Sequence, residues 1–434
     1  MNITMIGTGY VGLTTGACFA DMGHSVTCLD IDEGKIARLK NGECPIFEAG
    51  LEDLLKKNIS TESISFTTDY AAAIPGADII FFCIDTPAGE YGKANLSHLL
   101  AAAQQCAPHL NEYTVLVNKS TAPVGTARKI QETVRKIHPD ASFDIASNPE
   151  FLAEGSAVKN FLEPDRIVVG TESEKATELL KTAYAPLIEK GRVFVAVTIP
   201  SAELIKYASN SFLAMKLSFI NEIADFCELV GADVADVAKG MGLDSRIGSK
   251  YLEASIGFGG SCFGKDVHAL VMRAQEEGYE FRTIKALIAV NELRYLTVIR
   301  KLKVHLGPLK GKTIAVLGLA YKAGTDDVRD SQALRIILEL LDSGARVRAY
   351  DPEAIENFKK SFSRASDMIF MEQAHDVSEG ADALLILTEW DEFRALDLAT
   401  LKTKMSGNLI VDGRNLLTRK IVEAAGFTYE GIGR

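Results

Sequence analysis

The chain has 434 residues, 47% of them hydrophobic and 24% charged, and a formal net charge of −11. That length exceeds one ordinary core, so two or three domains of a soluble globular protein are expected. The acidic balance argues against nucleic-acid and anionic-membrane partners, and no apolar run approaches the roughly 20 residues of a membrane span.

The first residues, Met1-Asn2-Ile3-Thr4-Met5-Ile6, lack a basic n-region and lead into a glycine-rich turn, so they read as a strand and not as a signal peptide. Over the first 150 residues short apolar runs alternate with amphipathic segments, the mark of βα units and a parallel sheet. Strands are expected at 3–6, 25–30, 79–84, 114–118 and 143–146. A long helical pattern covers about 201–230, a rod of about 45 Å at 1.5 Å per residue, and further helical sequence runs to about 306. A second α/β pattern starts at Gly311, with strands at 313–319, 347–350 and 383–387. It echoes the first: Ile3-Thr4-Met5-Ile6-Gly7 resembles Ile314-Ala315-Val316-Leu317-Gly318. The expected fold is α/β, two Rossmann-like doubly wound domains (1–200 and 307–434) joined by a long central helix and a helical middle region (201–306).

Gly7-Thr8-Gly9-Tyr10-Val11-Gly12 follows a strand, opens a helix, and precedes Asp30 at the next strand's end. Gly7 allows the tight turn, Gly9 lets backbone approach a pyrophosphate, and Gly12 permits close helix–strand packing. A carboxylate at Asp30 accepts from a ribose 2′-hydroxyl and repels a 2′-phosphate, so NAD is expected over NADP. The second copy lacks this spacing and is expected to hold something other than a dinucleotide.

Gly257-Phe258-Gly259-Gly260-Ser261-Cys262-Phe263-Gly264-Lys265-Asp266 sets a thiol after a flexible glycine run and a carboxylate four residues later. Such a thiol can attack a carbonyl carbon, and the carboxylate can handle water or protons. A hydride acceptor and a nucleophilic thiol in one chain suggest oxidation through a thioester. Lys206 and Asn210, four apart on the long helix, project from one face and could steady charge on a substrate oxygen. A loop with a buried cysteine and a solvated helix face are the plainer readings of these two features. The other cysteines (18, 28, 44, 83, 106 and 227) are scattered. No CxxC pair or Cys/His spacing occurs, which indicates reduced thiols in a cytoplasmic setting and no metal site.

Taken in order with Lys119-Ser120-Thr121-Ala122-Pro123-Val124-Gly125 and Asn148-Pro149-Glu150-Phe151-Leu152-Ala153-Glu154-Gly155, these motifs closely resemble the UDP-glucose 6-dehydrogenase family of nucleotide-sugar dehydrogenases over nearly the full length. The resemblance implies oxidation of UDP-glucose with two NAD⁺ and water to UDP-glucuronate. It implies Cys262 as nucleophile, with Asp266 and Lys206 in water and proton transfer and Asn210 at the oxyanion. Thr121 and Glu150 are implied near the reacting C6 hydroxyl, and Thr86 and Glu154 near the nicotinamide. Tyr10, Val11, Lys35, Lys265 and Arg329 are implied as further cofactor contacts. Phe151, Leu152, Gly259, Tyr251, Tyr321 and Lys322 are implied around the UDP-sugar, and Arg246 as reaching a neighbouring subunit's sugar site. Arg414 is a weaker phosphate or sugar candidate. The same chemistry on GDP-mannose or another nucleotide sugar stays open, as do a single-step hydroxy-acid dehydrogenase and a non-catalytic NAD-binding regulator. The long helix favours a homodimer.

Overall fold

A computed structural model describes residues 1–87, 89 and 93–434. The chain divides into two compact units: residues 1–209 with 268–279, and residues 210–267 with 280–434.

The first unit is built on an eight-stranded sheet. Its strands are β1 (Asn2–Ile6), β2 (Ser25–Leu29), β3 (Ile64–Thr67), β4 (Ile79–Phe82), β5 (Thr114–Asn118), β6 (Phe143–Ser147), β7 (Arg166–Thr171) and β8 (Val193–Val197). They lie in the order β3-β2-β1-β4-β5-β6-β7-β8. Its central strands are apolar on both faces because helices cover both. Ile79 and Phe81 pack into one buried cluster with Ile3 and Met5, while Ile80 and Phe82 pack into the other with Ile6 and Leu29. This is why β4 and β5 read as unbroken apolar runs. The strands within the first 150 residues, β1 to β6, pair in parallel as expected; beyond them β7 joins β6 antiparallel, through Ala146–Thr171 and Ser147–Gly170. β8 then pairs with β7 in parallel.

The second unit carries β9 (Thr313–Leu317), β10 (Arg346–Tyr350), β11 (Ile369–Phe370), β12 (Ala383–Ile386), β13 (Leu409–Asp412) and β14 (Thr428–Glu430), all parallel, in the order β11-β10-β9-β12-β13-β14. That order matches the first six strands of the other sheet, so the sequence echo is a structural repeat. Ile314 and Val316 face a cluster shared with Ile220, Ala224 and Cys227 of the long helix Ile199–Val230, and with Val298 and Leu302 of the helix Tyr295–Leu306. Ala315 and Leu317 face the opposite cluster.

The repeat extends to the turns. Gly7 and Gly318 have φ of 99° and 100°, and donate to Leu29 O and Tyr350 O at 2.7 and 2.8 Å. The carboxylates that follow differ in availability. Asp351, 1% exposed, accepts from the N–H groups of Leu319, Ala320, Glu353 and Ala354 and from Trp390 Nε1. A carboxylate saturated by its own protein has no lone pair left for a ribose hydroxyl.

Candidate active site

In the first unit, a Cβ on Gly7 would stand 2.5 Å from Cys83 O, and one on Gly12 would stand 1.9 Å from Gly7 O. Turn and helix can approach this closely only without those side chains. A Cβ on Gly9 would meet nothing within 4 Å, which leaves room for a ligand's phosphates against the backbone. The helix Tyr10–Asp21 starts here with no side-chain cap and no acidic residue in its first turn, so its N–H groups and dipole face an anion without competition.

Asp30 Oδ2 accepts from Thr8 N at 2.8 Å, Thr8 Oγ1 at 2.7 Å and Lys35 Nζ at 3.2 Å, and Oδ1 accepts from Asp32 N at 3.1 Å. Burial pushes this carboxyl up, but the Thr8 and Asp32 hydrogen bonds and the Lys35 charge outweigh it and hold the group below its ordinary range. An ionised Asp30 with accepting capacity left on Oδ1 fits a ribose hydroxyl and repels a phosphate. These residues fit NAD. Asp30→Ala is expected to weaken NAD binding about 10- to 100-fold, the worth of one or two charged hydrogen bonds. The preference over NADP should shrink, as calorimetric titration with both would show.

The sequence reading missed two residues around this turn. Thr8, fully buried, locks Asp30 to the glycine turn. Glu48 accepts from Tyr10 Oη, from Gly155 N at 2.7 Å and from Ala157 N at 2.8 Å. It thereby fastens Tyr10 to the segment that carries the half-buried Glu154. Val11 packs against the adjacent core. Nothing in local spacing reveals a bond spanning 107 positions.

Beyond β5 and β6 a polar group assembles. Glu150 Oε1 and Lys206 Nζ form an ion pair of 2.8 Å, their side chains 6% and 5% exposed. Thr121 Oγ1 donates to the same Oε1 at 3.4 Å, Leu152 N donates to Oε2 at 2.6 Å, and Thr86 Oγ1 donates to Thr121 O at 2.6 Å. Burial raises the Glu150 carboxyl, yet the Lys206 charge and hydrogen bond, Leu152 N–H and the Lys119 charge together hold it below its ordinary range. Phe151 lies under the Arg166 guanidinium, 3.7 Å from its ring centroid. A further unforeseen residue, Glu203, accepts from Gly125 N and Ala127 N at 2.6 and 2.8 Å, and so fixes the end of the Thr121 loop to the helix that carries Lys206.

The thiol lies in the second unit. All seven cysteines are described, and Cys262 is the exposed one; Cys18, Cys28, Cys83, Cys106 and Cys227 are buried and Cys44 is partly so. Burial pushes the Cys18, Cys83 and Cys106 thiols up to about 12. Cys262 directly precedes the helix Phe263–Glu276, and its carbonyl accepts from Asp266 N at 2.9 Å, so the sulfur sits where a helix N-terminus favours an anion. Asp266 is fully buried. Asn210 Nδ2 donates to its Oδ2 at 2.6 Å, and Lys265 Nζ lies 3.2 Å from Oδ1.

The loop before the thiol is clamped. Asn291 holds both sides of the Phe258 peptide unit, Oδ1 accepting from its N–H at 2.9 Å and Nδ2 donating to its carbonyl at 3.1 Å. Gln332 Nε2 donates to the same carbonyl at 3.1 Å, and Gly260 N donates to Arg329 O at 2.8 Å. A Cβ on Gly259 would stand 2.4 Å from Asp330 O, and one on Gly260 2.7 Å from the Tyr321 ring. The glycines therefore let the loop lie on the 321–332 segment. Lys322 Nζ stands 5.6 Å from the Tyr321 centroid, and Tyr251, at φ 64°, packs its ring against Phe263. Arg329 and Arg246 pair with Asp327 and Asp244 respectively, and Arg246 is largely exposed. Arg414 donates to Leu387 O and Tyr321 O and pairs with Glu389, so its guanidinium holds Tyr321 in place and is committed to structure.

Three domain models match in sequence order: the NAD binding domain (residues 1–188), central domain (200–293) and UDP binding domain (315–419) of the UDP-glucose/GDP-mannose dehydrogenase family. The chain is 47% identical to a UDP-glucose 6-dehydrogenase of Rhizobium meliloti, with all of both chains covered. It is also 47% identical to the UDP-glucose 6-dehydrogenase TuaD of Bacillus subtilis, over all of this chain and 93% of that one. The structure of a UDP-glucose dehydrogenase from Pyrobaculum islandicum superposes with a TM-score of 0.93 at 35% identity, covering all of this chain and 97% of that one. With its glycine turn, ionised Asp30 and exposed Cys262, the chain belongs to the UDP-glucose/GDP-mannose dehydrogenase family and is an NAD-dependent oxidoreductase.

Proposed function

We propose that this protein oxidises UDP-glucose twice at C6, giving UDP-glucuronate and two NADH, with Cys262 carrying the intermediate. The observation that carries this reading is the single exposed thiol among seven, at a helix start and four residues from a buried carboxylate. The relatives' names support the substrate. The residues divide into an NAD-binding part at 1–200, a central helical part at 201–306 and a UDP-sugar part at 307–434.

NAD⁺, when bound, supplies the hydride acceptor for both oxidations. Gly7, Gly9, Tyr10, Val11, Gly12, Asp30 and Lys35 hold and orient it at its pyrophosphate and ribose, with Thr86, Thr121, Glu154, Lys265 and Arg329 as further contacts. In the first oxidation the C6 hydroxyl gives up its proton to the Glu150–Lys206 pair as C6 loses hydride, leaving an aldehyde. Cys262 Sγ then bonds to C6, and the aldehyde oxygen takes up a proton, forming a thiohemiacetal that cannot escape or hydrate. Loss of a second hydride from C6 and of the hydroxyl proton gives a thioester. Water, deprotonated with help from Asp266, adds to C6; the C–S bond breaks and the thiolate returns. The Asn210 amide and Lys206 ammonium steady the oxygen that becomes negative at each addition. Phe151, Leu152, Gly259, Tyr251, Tyr321 and Lys322 shape the UDP-sugar end. Counting NADH per substrate with UDP-glucose, GDP-mannose and UDP-N-acetylglucosamine tests the reading. Two per UDP-glucose supports it; one indicates a single-step dehydrogenase, and none a regulator.

A cytoplasmic homodimer completes the proposal. No disulfide joins any of the seven cysteines, all of them described, and among the described residues no helix is long and apolar enough to cross a membrane. On the long helix Phe212, Phe219 and Phe226 recur every seventh residue, 57%, 46% and 59% exposed, followed by Leu229 at 82%. A heptad stripe this apolar is suited to a second copy of itself, and Arg246 is assigned to the neighbouring subunit's sugar site. Phe219→Glu is expected to shift the protein to monomer in sedimentation velocity.

A further inference from the structure

Lys119 is 3% exposed, and its ammonium has no carboxylate in direct contact among the described ion pairs. Nζ donates to Asn148 Oδ1 at 3.0 Å and Tyr184 Oη at 3.4 Å, and lies 5.8 and 6.0 Å from the Phe81 and Phe161 ring centroids. Asn148 is itself fixed, its Nδ2 donating to Val168 O at 2.7 Å and its Oδ1 also accepting from Tyr184 Oη at 2.6 Å. Lys119, Asn148 and Glu150 line one cavity of about 40 Å³. A buried ammonium among neutral partners costs several kcal/mol of desolvation, and packing alone would be served as well by methionine.

The titratable and charged groups facing Lys119 come from four places. They are Cys83 after β4, Tyr184 after the helix Glu174–Ala183, Glu150 after β6, and Lys206 on the long helix. Arg166 lines the same cavity, with its guanidinium against the Phe151 ring. Burial keeps the Cys83 thiol and the Tyr184 phenol neutral by raising both. Arg166 has the neighbouring Asp165 as its counter-charge and does not act on Lys119, so the charges that act on one another are Lys119⁺, Glu150⁻ and Lys206⁺. Without Lys119 the ion pair sums to zero. With it, the cluster carries one net positive charge in a region of low dielectric, where a charge acts strongly on a developing oxyanion.

We propose that Lys119 is a positioning residue that sets the charge of the Glu150–Lys206 pair from behind, so that the pair meets the substrate oxygen as a net cation. The inference rests on the catalytic reading of that pair given above. Burial pulls the Lys119 ammonium down to about 8, so raising the pH discharges it and activity falls on the alkaline side.

The test is kcat for NADH formation from UDP-glucose, from neutral to alkaline pH, in the wild type, Lys119→Arg and Lys119→Met. The wild type should lose activity with a midpoint of about 8. In Lys119→Arg, whose guanidinium stays charged, the fall should move to higher pH. In Lys119→Met kcat should drop about 10- to 100-fold at neutral pH, less than loss of a directly bonded oxyanion donor. That variant should have no fall near 8 and a KM for UDP-glucose within a few-fold of the wild type. A wild type with no alkaline fall, or one whose fall stays put in Lys119→Arg, overturns the inference, whether or not Lys119→Met folds. A wild type that does not turn over UDP-glucose refutes the proposed function instead.

Discussion

Cys262→Ser is expected to lower UDP-glucuronate formation by three orders of magnitude or more, roughly the loss seen when a covalent nucleophile is removed. A serine hydroxyl at the same helix start is scarcely ionised at neutral pH, so it cannot hold the aldehyde for a second oxidation. Binding of NAD should persist, because the glycine turn and Asp30 belong to the first unit and Cys262 to the second. Paired measurements decide it: glucuronate by chromatography under saturating substrates, and NAD affinity by calorimetry. No other thiol is placed to substitute, since the remaining six are fully or partly buried. Undiminished double oxidation would remove the sulfur from the mechanism.

Lys206→Met is expected to damage both activity and stability. The lysine lies 2.8 Å from a carboxylate of which 6% is exposed, so its removal strands a buried charge, a loss of about 3–5 kcal/mol. It should also lower kcat by roughly 10²–10⁴, the range of general acid–base assistance. The double variant Lys206→Met with Glu150→Gln should recover most of the unfolding free energy and none of the rate, because the glutamine needs no counter-charge yet accepts no proton. The pH dependence has a definite sign. Glu150 is held below its ordinary value of 4.5 in the fold. Its ionised form therefore stabilises the wild type above that value, and this stabilisation fades as pH falls through the folded pKa. The gap between wild type and Lys206→Met should be widest at neutral pH and close in acid, as denaturant melts across that range would show.

Much of the scaffold was legible because physics leaves a local trace in it. Strands buried on both faces must be apolar throughout, so β1, β4, β5, β9 and β12 could be read within a residue or two of their ends. The long helix, Ile199–Val230, began two residues before its expected start. Other strands left weaker traces. β3 alternates buried and exposed residues, β8 carries Val193 at 57% exposure, and β11 has two residues. The antiparallel entry of β7 follows from how its connection runs, which composition does not encode. At the site, the residues that motif spacing defines could be named from the sequence: the glycine turn, Asp30, the Cys262–Asp266 interval. Residues whose role lies in distant hydrogen bonds were not. Glu203 reaches Gly125 across 78 positions and Asn291 reaches Phe258 across 33. Thr8 was missed for another reason, as its hydroxyl acts on Asp30 from a motif position where any residue is allowed.

The most direct test is to stop turnover of UDP-glucose with acid, in the wild type and in Asp266→Asn, where release should be slow, and to weigh the peptide that contains Cys262. A UDP-glucuronyl group on that sulfur, lost on treatment with hydroxylamine and more abundant in the slowed variant, is the expected outcome. Unmodified Cys262 throughout, while glucuronate and two NADH still form, would contradict the account.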